Sequence, residues 1–66
     1  MEKIVSQNIK NIRLINNLTQ KEFGAKLGYS ARTISDWENG NTEPDLKTIK
    51  LIVKIFNVAY EDILDK

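Results

Sequence analysis

Apolar residues at helical spacing open the chain: Val5, Ile9 and Ile12, with Ile15 or Leu18 extending the stripe. Positions three and four apart share one face of an α-helix, so residues 3–16 or so are predicted to form an amphipathic first helix. Asn16 and Asn17, both weak helix formers, end it. Two short helices follow, and each start is marked twice. Thr19 is a good N-cap, Glu22 three residues on completes a capping box, and Leu18 and Phe23 are spaced as a hydrophobic staple. The pattern repeats with Ser30 as cap and Tyr29 and Ile34 as staple. Gly28 between them supplies a left-handed residue that turns one helix sharply into the next, and Gly40 after Asn39 closes the second. Asn39 to Pro44 reads as a loop, because Asn-Gly marks a turn and Pro44 pushes Glu43 out of the helical region. Asp45 then caps a fourth helix with Leu46, Ile49, Ile52, Val53 and Phe56 as its apolar positions, and Asn57 stops it. A last short helix over 60–64 presents Tyr60, Ile63 and Leu64. No stretch alternates with period two long enough to suggest a strand. The expected fold is all-α, five helices in one domain over residues 1–66.

Composition narrows the function by exclusion. A chain of 66 residues has a small core, marginal unless its packing is efficient or a partner helps. Cysteine and histidine are both absent, so neither a disulfide nor a thiolate or imidazole metal site is expected. The same absence removes the commonest nucleophile and general base, and no paired carboxylates sit in a pocket motif. The sequence therefore predicts no enzyme activity, no cofactor and no small-molecule ligand. No apolar run approaches the roughly 20 residues of a membrane span, and no signal-peptide pattern opens the chain. The expectation is a cytoplasmic protein without a membrane partner. The net charge is only +1, but residues 1–34 carry six Lys/Arg against two Glu, and residues 35–66 four Lys against seven Asp/Glu. The halves thus balance at +4 and −3, so a positive face is available for phosphate attraction, which depends on the local field. Ordinary surface charge explains the same numbers.

Two helices joined by a short glycine-containing turn make a helix-turn-helix. Around the second of them, at about 100° per residue, Ile34, Trp37 and Glu38 share one sector that must face the core. Arg32, Ser35, Asp36 and Asn39 occupy the opposite side, with Ala31 between the two sectors. That outward arc is small, polar and hydrogen-bonding.

The run TQKEFGAKLGYS followed by RTISDWENGNTEPD resembles the Cro and repressor (XRE-type) helix-turn-helix regulators, and the likeness extends over residues 5–64 or so. It implies a compact five-helix bundle of the lambda-repressor-like type, with the helix-turn-helix over about 19–39 and the helix from Ser30 lying in the DNA major groove. Double-stranded DNA is then the expected partner, bound by a homodimer. Ala31, Arg32, Ser35 and Asp36 become the candidate base readers. Arg32 matches the O6 and N7 acceptors of guanine, although a phosphate contact or a solvated arginine stays open. Asp36 stands four residues after Arg32, where it could orient that side chain, or it could accept from cytosine N4. Ala31 could touch a thymine methyl. Gln20 matches the family's phosphate-binding position at a helix start, where open backbone N–H groups attract anions. Ser30, Thr33, Asn39, Asn41 and Thr42 follow as backbone contacts by the same resemblance, with Lys10 and Lys21 as longer-range phosphate partners. The resemblance also pairs Arg13 with Glu38, fixing the recognition helix to the scaffold.

Two residues depart from the family pattern. Gly24 stands where alanine is usual, and meets the need for a small side chain under the crossing of the next helix. Ala59 stands where Ser or Thr often caps the last helix, so that helix is expected to fray unless a partner holds it. Val58, Tyr60, Ile63 and Leu64 exceed what so small a core needs and form the expected dimer surface, with packing into their own core as the other reading. A protein-interaction module of antitoxin or anti-repressor type, built on the same fold, remains open. So does the choice between a whole protein and the front part of a longer regulator.

Overall fold

Local signals and helix ends coincide closely. The computed structural model describes residues 4–65, so the predicted beginning of the first helix at residue 3 lies outside the described residues. Five α-helices follow in order: α1 (Ile4–Ile15), α2 (Gln20–Leu27), α3 (Ala31–Glu38), α4 (Leu46–Phe56) and α5 (Tyr60–Leu64). Among the described residues there is no strand. Thr19 and Glu22 close both halves of the capping box at α2, at 3.0 and 2.8 Å. Ser30 and Asp45 accept from the N–H groups of Thr33 and Thr48 and so cap α3 and α4. The chain leaves α1, α2 and α4 through left-handed residues: Asn17 (φ 58°), Gly28 (φ 84°) and Asn57 (φ 54°). Asparagine is one of the few residues with a Cβ that tolerates this region, which explains its use at two of the three stops.

Each helix contributes one side chain with no exposed surface to a common centre: Ile9, Phe23, Ile34, Ile52 and Ile63. Ile12, Leu27, Trp37 and Ile49 complete the core, and Phe56 lies stacked on Phe23 with ring centroids 5.0 Å apart. Ile15 does not extend the α1 stripe; it is 78% exposed, and Leu18 takes that role. Leu46, expected in the core, is 61% exposed. It precedes Ile52 by six residues, which puts it about 120° around the helix from that buried position.

Ile63 also departs from expectation. It belongs to the core and not to a dimer surface, and Val58 is half-buried against the same core. Nor is α5 left loose for want of a capping hydroxyl. Asp62 accepts from the Ala59 N–H at 2.9 Å, and Asn8 of α1 donates its side-chain amide to the carbonyls of Ile63 and Asp65 at 2.8 and 2.7 Å. The helix is thus held at both ends, one of them by a residue 55 positions away.

Candidate nucleic-acid interface

The angle between α2 and α3 depends on Gly24. A Cβ there would meet the Tyr29 backbone carbonyl at less than 3.0 Å and Cγ1 of Ile34 at 3.2 Å. The close approach is therefore to the turn as much as to α3 itself. Gly28 differs: a Cβ would meet nothing within 4 Å, and only its positive φ calls for glycine. From the same turn Tyr29 sets its ring edge against Trp37 at a centroid distance of 5.0 Å, and its hydroxyl shares a 2.7 Å hydrogen bond with Thr48 of α4. Trp37 is 4% exposed and packs as core.

With Ile34 and Trp37 buried, the opposite side of α3 faces outward. Arg32 and Asn39 are exposed; Ala31, Thr33, Ser35 and Asp36 are half-buried. The arc carries its own hydrogen bonds. Asn39 donates to the Ser35 hydroxyl at 3.3 Å, and Asn41 donates to the Asp36 carboxylate at 3.5 Å. The backbone N–H groups of Asn41 and Thr42 both point to the Asp36 carbonyl, which folds the start of the α3–α4 loop onto the end of α3. Asp36 does not orient Arg32 as its spacing suggested, because its partner is Asn41 from the loop. Arg32 is left free to extend. Ser30 and Thr33 lie at the start of α3, where their hydroxyls share a 3.2 Å bond. Gln20 and Lys21 begin α2, and Lys10 is exposed on α1.

One ion pair ties this arc to the scaffold. Arg13 Nε and Nη2 donate to the two Glu38 oxygens at 2.6 and 3.0 Å, and Nη1 donates to the Leu18 carbonyl at 2.9 Å. The side chains are 11% and 4% exposed. The hydrogen bond to Glu38 holds the guanidinium above its ordinary pKa, against the opposing effect of burial. A second donor reaches the same carboxylate: Gln20 Nε2, at 3.2 Å from Oε1. That contact joins residues 18 apart on different helices and has no sequence signal. Among the described residues no group of acidic side chains is placed to hold a metal ion, and no helix is long and apolar enough to cross a membrane.

A short two-helix turn, a buried charge pair behind its second helix and a polar arc in front define a regulator-type DNA-binding domain. The chain belongs to the helix-turn-helix family, whose model matches residues 9–63, and within it to the Cro/repressor (XRE) type. It is 41% identical over 59 residues to an uncharacterized HTH-type transcriptional regulator of Methanocaldococcus jannaschii, covering 89% of each chain. To the antitoxin PezA of Streptococcus pneumoniae it is 38% identical over 61 residues, and there it spans 92% of its own length but 39% of the antitoxin's. Among solved structures, the P22 c2 repressor in complex with a synthetic operator shares the fold at a TM-score of 0.83, with 24% identity and 96% of both chains covered. The LexA SOS-response repressor of Eubacterium rectale superposes at 0.84, with 28% identity, over all of this chain and 77% of that one. The five-helix fold expected from sequence is the fold found, and the family is one of regulators rather than enzymes.

Proposed function

We propose that this protein is a sequence-specific, double-stranded DNA-binding regulator of repressor type, acting as a dimer on a pseudo-palindromic site. The observation that carries the reading is the outward arc of α3, free of bulky aliphatic side chains and pinned from behind by Arg13–Glu38. In the major groove, Arg32 would read guanine, with Ala31, Ser35 and Asp36 beside it. Gln20, Lys21, Ser30, Thr33, Asn39, Asn41, Thr42 and Lys10 would hold the phosphates and set the register. A module of this size covers only about 600–1,000 Å² of DNA, so two copies with recognition helices about 34 Å apart supply the missing specificity. Tyr60 and Leu64, 42% and 44% exposed on α5, are the apolar residues that would meet across the dimer, with Val58 beneath them.

Likeness to an antitoxin favours a second reading, a module of the same fold that holds a protein partner. Selection of bound sites from random duplex DNA, at stated salt and with stoichiometry measured, separates the two. A selected two-fold site bound by two chains is expected. Arg32→Ala should relax base preference at one position in each half-site and cost about 1–3 kcal/mol. A pool that stays random overturns the regulator reading.

A further inference from the structure

The Glu38 carboxylate is where three helices meet. Its Oε2 accepts from Arg13 of α1, and its Oε1 accepts both from Arg13 and from Gln20, the first residue of α2. Arg13 alone accounts for the ionic pairing, so the third contact needs its own explanation. A primary amide has two N–H groups diverging in one plane. With one of them on Glu38, the other is left for a further acceptor, and the backbone N–H groups of Gln20 and Lys21 at the same helix start have no intrahelical acceptor. Open donors at a helix start attract anions.

An acidic group close to a phosphate site is ordinarily adverse. Here its charge is matched by a guanidinium that uses both Glu38 oxygens and is itself almost fully covered. The carboxylate can therefore serve as an anchor without opposing the ligand's charge. A glutamine side chain has three rotatable bonds, and freezing them on binding is costly. Holding Gln20 in place before DNA arrives removes much of that cost.

We propose that Glu38 is a positioning residue for DNA binding: it presets the Gln20 amide for one phosphate of the duplex and ties that contact to the helix that reads the bases. The proposal rests on the reading of Gln20 as a phosphate contact. It makes the groove-facing helix and the backbone clamp one mechanical unit, since both are fastened to a single carboxylate.

The test is a double-mutant cycle on the full chain with a mixed-sequence duplex as probe, because a phosphate contact needs no particular sequence. Wild type, Gln20→Ala, Glu38→Gln and the double variant are compared across a salt series, with folding checked by circular dichroism. In wild type, Gln20→Ala should weaken binding about three- to tenfold and lower the salt slope by about one. On the Glu38→Gln background the same change should cost less than about twofold, because the amide is no longer held. An equal loss on both backgrounds overturns the positioning role and leaves the phosphate contact standing. No loss in wild type removes the phosphate reading, and the proposal with it. A second measurement needs no variant that might unfold. In the free wild-type protein the Gln20 amide proton bonded to Glu38 should be displaced in its NMR signal from the free-glutamine shift and slow to exchange, and only the other should shift when the duplex is added. Rapid solvent exchange and free-glutamine chemical shifts for both protons would overturn the proposal equally.

Discussion

Glu38→Ala isolates the energetic role of the charge pair behind α3. The substitution removes two of the three protein acceptors of the Arg13 guanidinium and leaves only the Leu18 carbonyl. Arg13 is 11% exposed, so water reaches little of the group, and its charge persists at any workable pH. Breaking a buried pair from one side typically costs 3–5 kcal/mol. The surviving bond and the slight exposure put the expected loss near the low end, at about 3 kcal/mol. A domain of this length has a total stability on the order of 3–10 kcal/mol, so the variant should unfold at a clearly lower denaturant concentration. Replacing both partners, as Arg13→Met with Glu38→Leu, removes both desolvation costs together. That variant should return to within about 1 kcal/mol of wild type. Urea titration followed by Trp37 fluorescence reads the difference, since this ring is buried in the folded state, and an unchanged slope would confirm that only stability moved. A loss below about 1 kcal/mol for Glu38→Ala would show that solvent screens the pair. A double variant as unstable as the single would show that the pair's geometry, and not a stranded charge, carries the cost.

Three further outcomes are expected. Gly24→Ala gains about 1 kcal/mol of helix propensity but drives a Cβ into the Tyr29 carbonyl, which belongs to the backbone and cannot swing aside; a net loss of roughly 1 kcal/mol is expected in the same urea assay, and a gain would show that the turn yields. Asn8→Ala should cost about 1–2 kcal/mol and speed hydrogen exchange in α5 well beyond that in α2 and α3, whereas uniform acceleration would deny Asn8 a local role. Asp45 should titrate below the ordinary carboxylate range, because the Thr48 side chain and N–H both stabilise its charged form. With the folded value lowered, its contribution is present above the ordinary range and lost as pH falls through the folded value; an NMR titration with an ordinary midpoint would refute the cap's electrostatic part.

What the sequence revealed was local. Thr19 with Glu22, Ser30, Asp45 and Asn57 act on neighbours three or four residues away, so their roles follow from spacing alone. The same logic misjudged Asp36, whose position four after Arg32 permits a pair that the α3–α4 loop pre-empts through Asn41. Ile63 was indistinguishable from Tyr60 and Leu64 because α5 has barely more than one turn, too few residues for a periodicity to name its buried face. Leu46 was readable: its angle from Ile52 already lay outside the buried sector. Two contacts had no sequence signal: Gln20 with Glu38 and Asn8 with α5 cross 18 and 55 residues and involve amides that carry no pattern. For the interface residues, sequence supplied the arc, and the structure supplied which of its members are already engaged.

The clasp between Asn8 and α5 gives the molecule two fastenings of opposite reach. Arg13, about 7.5 Å farther along the same helical rod, grips α3, while Asn8 grips the far end of the chain. Shedding α5 would open the core at Ile63 yet leave α2, α3 and their shared carboxylate laced to α1. On the reading proposed above, pairing between copies through α5 and contact with a duplex through α3 therefore hang on separate fastenings along α1.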